Sequence, residues 1–238
     1  MASENSEVKI LGAWASPFVM RPRIALHLKS VEYDFIEENL ITKSELLLKS
    51  NPVHKKIPVL LHNDKPVCES NVIVQYIDEA FSSGSSIFPS DPYDRAIHRF
   101  WAAYIDDKWF PIMMAASRAD TPEAKATAID QLKEGLLLLE DAFIKLSNGK
   151  PFFGGDDVGF VDIAFGSYLG WVRASEQMGC TKLIDESTTP SLATWADNFC
   201  GHEAVKDVMP ETDKLVEFAL TMIPKFKEAA AAAAAAST

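Results

Sequence analysis

The chain opens on a short apolar run, VKILG at residues 8–12, of strand length and too brief for a helix. A connecting stretch, Ala13-Trp14-Ala15-Ser16-Pro17, leads into FVMRPRIALHLKS, where Phe18, Ile24, Ala25 and Leu28 fall close to one helical stripe with Arg and Lys between them. Ser16-Pro17 marks the start of that helix. A serine hydroxyl can accept a free first-turn amide, and proline suits the first helical position, where no N–H is needed. Pro22 lies inside the helix and predicts a shift or kink near Arg21. Residues 33–37 (YDFIE) then alternate like a half-buried strand, which gives the order strand, helix, strand.

Asn51-Pro52 interrupts the pattern before KIPVLL at 56–61, a strand entered through a proline at its edge. Asn63-Asp64-Lys65 reads as a turn and Pro66-Val67-Cys68 as the returning strand of a hairpin. Glu69-Ser70 opens a helix over 71–81 whose expected apolar face is Val72, Ile73, Tyr76 and Ile77. The first part of the chain is thus βαβ followed by ββα.

SSGSSIFPSDP at 82–92 is rich in Ser, Pro and Asp and reads as a linker. Everything beyond it reads as helix, over 93–119, 122–146, 160–178, 191–200 and 212–227. Pro111 is expected to kink or end the first of these. Gly159-Phe160-Val161-Asp162 resembles a capping box with glycine at the cap. The predicted division is a first domain over 6–82, a linker over 83–92, an all-helical domain over 93–228 and a low-complexity alanine tail over 229–238.

Charge narrows the function. Against 34 acidic residues stand 23 basic ones, a net −11. Such a chain lacks the clustered cations that a phosphate backbone requires, which argues against nucleic acid as a partner. No apolar run reaches the roughly 20 residues that span a bilayer, and the polar, acidic start does not read as a secretory signal. Cys68, Cys180 and Cys200 are odd in number and scattered, which points to reduced thiols and a cytoplasmic location rather than a disulfide framework.

The candidate chemistry lies at helix starts. Taken alone, Ser16 is most simply a structural cap, but the same geometry offers free amides and partial positive charge to an anion such as a thiolate. A hydroxyl there can also donate to sulfur, and such surroundings commonly lower a thiol pKa from about 8.5 by one or more units. Pro58 is an edge-strand proline in its plainest reading. A cis bond there would turn the Ile57 backbone toward a bound peptide. Glu69 and Ser70 are ordinary capping residues unless that helix start binds a carboxylate and Glu69 an ammonium, the two charged ends of a γ-glutamyl group. Lys43 and Lys56 are simple surface charges, or partners for a second carboxylate.

Ser16-Pro17 after a first strand, Ile57-Pro58 before a third and Glu69-Ser70 at a helix start occur in that order, ahead of an all-helical region. In LGAWASPFVMRPRIALHLKSVEYDFIEENL, NPVHKKIPVLLHNDKPVCESNVIVQYIDE and FFGGDDVGFVDIAFGSYLGW the sequence resembles the cytosolic glutathione S-transferases, closest to the plant tau class. The resemblance covers nearly the whole chain except the tail.

It implies an α+β fold, with a thioredoxin-like N-terminal domain and an all-α C-terminal domain, and a cis bond at Pro58. It places the catalytic hydroxyl on Ser16 and glutathione contacts on Lys43, Lys56, Ile57, Pro58, Glu69 and Ser70. It implies a homodimer and an electrophile pocket between the domains, with Pro17, Phe110, Met114, Trp171 and Phe218 as lining candidates. Met113 and Met114 suggest an adaptable wall.

The implied reaction joins the glutathione thiolate to apolar electrophiles or to peroxide oxygen, in detoxification of stress products and xenobiotics. Glutathione serves as co-substrate, with no cofactor, metal or membrane partner. A thiol transferase or dehydroascorbate reductase needs a cysteine for the mixed disulfide. Position 16 is serine and Cys68 has no CxxC partner, which counts against that alternative. A carrier of apolar ligands on the same fold is the other alternative.

Overall fold

In the computed structural model, residues 7–179 and 181–235 are described, so Cys180 and the tail beyond residue 235 lie outside the described residues. Four short strands form one sheet: β1 (Val8–Gly12), β2 (Asp34–Glu37), β3 (Val59–His62) and β4 (Lys65–Cys68), in the order β2-β1-β3-β4. The β1–β2 pair is parallel, so the chain must cross over between them, and α1 (Pro17–Leu28) makes that crossing. The other pairs are antiparallel. The β3–β4 hairpin turns on Asn63 and Asp64, at φ 50° and 61°, the left-handed pair of a tight two-residue turn. Pro66 sits in β4 at the sheet edge, where its missing N–H breaks no ladder.

Two features of this half depart from expectation. A six-residue helix, α2 (Glu45–Ser50), follows β2. Its run of three leucines carries no visible period, and only Leu47 of the three is buried. It is set instead by Ser44, whose hydroxyl accepts from Leu47 N–H at 3.0 Å and donates to Glu38 at 2.6 Å. The apolar face of α3 (Ser70–Ala80) is rotated from the expected one. Ile73, Val74 and Ile77 pack inward against α1, whereas Val72 is 50% exposed, because residues 73, 74 and 77 define the i, i+1, i+4 stripe and 72 lies beside it.

The connection to the helical half is packed into the core. Asp78 accepts Ile87 N–H at 2.9 Å and pairs with Lys29 at 2.7 Å. Phe88 stacks on Phe160 with ring centroids 4.3 Å apart. One hydrophobic cluster therefore runs from Ile10 and Ile24 through Phe88 to Trp195 and Phe199.

The helical half comprises α4 (Pro92–Tyr104), α5 (Phe110–Arg118), α6 (Pro122–Ser147), α7 (Phe160–Gly166), α8 (Leu169–Gln177), α9 (Pro190–Gly201), α10 (Glu203–Lys206) and α11 (Thr212–Ala235). The helix expected over 93–119 is interrupted where Pro111 predicted trouble. Residues Ile105–Trp109 wind as a π-helical turn, which re-phases the backbone ahead of a residue with no N–H to give. The single helix expected over 160–178 breaks at Ser167 and Tyr168, and the four-residue α10 was not anticipated.

The start of α7 rests on Asp162. Its buried carboxylate accepts the N–H groups of Phe153, Gly154 and Gly159 at 2.9, 2.8 and 2.8 Å and the Trp195 indole at 2.7 Å. The Gly159 bond is the reach-back that the sequence pattern anticipated. Burial pushes this carboxyl up to about 6, and the four donors hold it down from going further.

Candidate functional site

Ser16 caps α1 in extended geometry (φ −83°, ψ 121°), as its place before proline predicts. Its hydroxyl oxygen accepts from Val19 N–H at 3.4 Å, a long bond that leaves the hydroxyl proton free to donate. The Ser16 carbonyl takes the Val19 and Met20 amides, and Pro17 has none. The Phe18 N–H is thus the first-turn amide left without a partner among the described residues. A donor hydroxyl and a helix N-terminus face the same point, the setting that stabilises an anion.

Ser16 opens onto an apolar cavity of about 370 Å³. All five residues expected at an electrophile site, Pro17, Phe110, Met114, Trp171 and Phe218, line it together with Ser16, and each is half-buried. The cavity is closed from the helical side by aromatic contacts. The Phe18 and Phe110 rings meet edge to face at 5.4 Å, and Trp14 meets Phe218 at 5.4 Å. The Trp171 indole donates to the Ala15 carbonyl at 2.8 Å, which ties α8 to the residue before Ser16. A larger and more open hollow of about 720 Å³, bordered by His27, Tyr33, Asp157 and His202, reaches none of these residues.

The residues expected to hold glutathione lie on the sheet half. The Ile57–Pro58 bond is cis. Pro58 is buried, Ile57 half-buried, and Lys43 and Lys56 are exposed, with no side-chain partner among the described residues. The loop ahead of Lys56 is fixed by buried Asn51, which donates to the Lys56 carbonyl at 2.9 Å and accepts His54 N–H at 3.0 Å. Glu69 is exposed, with φ 70°, a left-handed conformation that costs a non-glycine residue about 1–3 kcal/mol. Its carboxylate lies 3.8 Å from the His54 ring.

Ser70 is buried, and its hydroxyl accepts from Arg21 at 3.2 Å, so its own proton is left for a ligand. Arg21 was the main omission from the sequence reading, which set the basic residues of α1 between the apolar ones. It is fully buried. Its guanidinium forks onto Asp106 at 2.8 and 2.6 Å and also reaches Asn71, Ser167 and the Ala164 carbonyl. Tyr168 donates to the same carboxylate at 2.9 Å, and Asn71 does so at 2.9 Å.

Burial, the largest single influence, would lower the Arg21 pKa, but the hydrogen bonds and charges of Asp106 and Tyr168 together outweigh it and raise the pKa, so the charge is held. Burial pushes the Tyr168 phenol well above its ordinary value. The signal was present: Phe18, Arg21, Ile24 and Leu28 share i, i+3, i+4 spacing, which puts Arg21 on the stripe itself.

A hydroxyl at a helix start on a four-stranded mixed sheet, a cis proline before the third strand and an apolar cavity walled by helices together define a glutathione-dependent transferase. The chain belongs to the glutathione S-transferase family. The family model for the glutathione S-transferase N-terminal domain matches residues 6–79, and that for the C-terminal domain matches residues 122–198.

Within the family the chain sides with the tau class. It is 62% identical over 222 residues to glutathione S-transferase U17 of Arabidopsis thaliana, covering 93% of this chain and 98% of that protein. A crystal structure of a tau class enzyme from mango, Mangifera indica, is 62% identical with a TM-score of 0.87, covering 90% of this chain and 97% of the other. Rice GST1, solved in complex with glutathione, is 36% identical with a TM-score of 0.85, covering 94% and 99% of the two chains.

Proposed function

We propose that Ser16 is the catalytic hydroxyl of a glutathione conjugation, and that the cavity it opens onto receives the electrophile. The carrying observation is the Ser16 hydroxyl itself: an N-cap whose proton is free, beside a Phe18 amide with no partner among the described residues, on the rim of an apolar cavity. A thiol bound there loses its proton to solvent, and the thiolate attacks an electrophilic carbon or a peroxide oxygen. Proximity and pre-ionisation supply the rate. Ser16 donates a hydrogen bond and forms no covalent intermediate.

Ser70 and the start of α3 take the γ-glutamyl carboxylate, Glu69 its ammonium, the Ile57 backbone the cysteinyl unit, and Lys43 and Lys56 the second carboxylate. The rice relative solved with glutathione supports glutathione as the ligand. Pro17, Phe110, Met114, Trp171 and Phe218 contact the electrophile. Residues 6–82 form the glutathione-binding domain, 83–92 the linker and 93–228 the electrophile-binding domain. The protein acts as a cytoplasmic homodimer. Among the described residues no helix is long and apolar enough to cross a membrane.

Turnover and retention on immobilised glutathione test this together. The Ser16→Ala variant is expected to keep most glutathione binding and lose most conjugation. Full turnover by the variant with both substrates saturating would remove Ser16 from the mechanism. Retention by the wild type without turnover of any electrophile would favour the carrier reading.

A further inference from the structure

The electrophile cavity has one charged residue among its described lining residues, Lys125 on α6. Lys125 is half-buried while the residues on either side of it are exposed, and its side chain has no ion pair or hydrogen bond among the described residues. In a chain with 34 acidic residues to 23 basic ones, a lysine turned toward an apolar cavity without a carboxylate beside it is unusual.

Its position within the cavity follows from the helices. Three of them line it in strides of seven residues: Phe110, Met114 and Ser117 on α5, Leu132, Ile129 and Lys125 on α6, and Trp171 and Ser175 on α8 with Met178 at its C-cap. Seven residues of α-helix rise about 10 Å. The deep ends gather near Ser16: Phe110 packs on Phe18, the Leu132 carbonyl accepts the Trp109 indole beside Phe110, and Trp171 bonds the Ala15 carbonyl. The far ends therefore collect Ser117 and Lys125 about 10 Å away. The Ser117 and Ser175 hydroxyls already donate to Met114 and Val172 carbonyls, each at 2.8 Å. Lys125 is the charged donor at that end among the described residues, and its ammonium is uncommitted.

We propose that this cavity selects extended apolar electrophiles carrying a carboxylate about 10 Å from the reacting carbon, with Lys125 binding the carboxylate while the carbon faces the thiolate at Ser16. The proposal rests on the transferase reading above and names its substrate class. For an enone, the glutathione sulfur bonds to the β-carbon and the alkene electron pair moves to the carbonyl oxygen as an enolate. The enolate takes a proton from water, and the thiol proton has already gone to solvent, so nothing is oxidised or reduced.

The test uses ethacrynic acid, an aryl enone whose carboxylate stands across the ring from its reactive methylene, and its methyl ester. Binding by calorimetry and kcat/KM are measured for wild type, Lys125→Arg, Lys125→Met and Lys125→Glu. The wild type is expected to prefer acid over ester by about ten-fold, the worth of one charge-assisted hydrogen bond. Arginine should keep the preference, methionine abolish it and glutamate invert it. An acid-to-ester ratio that is the same in all four proteins overturns the proposal. A binding preference that follows the charge at position 125 with no turnover of either compound upholds the carboxylate site and favours the carrier reading over the transferase one. Turnover of both compounds, blind to that charge, does the reverse.

Discussion

Replacing Arg21 with methionine keeps much of the side-chain volume and removes the charge that joins the two halves of the molecule. Arg21 is fully buried and its partner Asp106 is 22% exposed on the side chain. Taking one member from a buried ion pair costs about 3–5 kcal/mol, because the other charge is left uncompensated. Asp106 retains the Tyr168 hydroxyl and the Asn71 amide, each at 2.9 Å, and touches solvent, so the expected loss lies at the lower end, about 3 kcal/mol. Combining Arg21→Met with Asp106→Leu removes the stranded charge, so the double variant should be no less stable than the single one. That corresponds to a coupling of about 2 kcal/mol or more. Urea unfolding followed by tryptophan fluorescence measures wild type, the two single variants and the double variant. The Ser70 hydroxyl also loses its donor, so KM for glutathione should rise several-fold in the single variant. A loss under about 1 kcal/mol, or additive effects in the double variant, would refute the view that Arg21 carries its charge into the core for Asp106.

Other consequences follow from single residues. A methyl group at Gly166 would sit 2.3 Å from two ring carbons of Phe199, which is buried against Trp195, so Gly166→Ala should cost about 1–3 kcal/mol or more in urea unfolding. Burial raises the Asp162 carboxyl to about 6 from 3.8, so between these values the native state holds a proton that the unfolded chain does not. Its contribution is therefore full below the unfolded value and lost as pH rises through 6. The stability advantage of wild type over Asp162→Asn should widen as pH falls from 7 to 5, and a narrowing gap would reverse the sign. His98 behaves oppositely: burial lowers its pKa from 6.5 and its Nδ1 has no partner among the described residues, so stability drains as pH falls below that value. His98→Leu should flatten the fall between pH 7 and 5, as read by thermal melting.

How much of this was legible in the sequence depended on whether the signal was local. The Ser16 cap, the Asn63-Asp64 turn and the returning strand at Pro66-Val67-Cys68 are set by backbone chemistry within four residues, and they stand as read. The cavity-lining set Pro17, Phe110, Met114, Trp171 and Phe218 came from family resemblance rather than from pattern, since nothing in a helical stripe distinguishes a cavity wall from core packing. Arg21 was lost because a charged residue on an apolar stripe is normally assigned to solvent. Its partner Asp106 stands 85 residues away, a distance at which sequence carries no pairing signal. The π-helical turn was legible only as a disturbance near Pro111, because the chain could equally have kinked or ended there. Lys125 was invisible for the same reason as Arg21: its neighbours in α6 are surface residues, and only the fold shows which way it turns.

The central claim is that Ser16 and the start of α1 hold a glutathione sulfur as its thiolate. It is tested most directly by titrating the ultraviolet thiolate absorbance of bound glutathione against pH in wild type and Ser16→Ala. A bound thiol pKa one or more units below the free value of about 8.5, returning toward it in the variant, is the predicted result. Each unit corresponds to about 1.4 kcal/mol of selective stabilisation of the anion. An undepressed pKa in the wild type, or an equal depression in both proteins, would contradict the account.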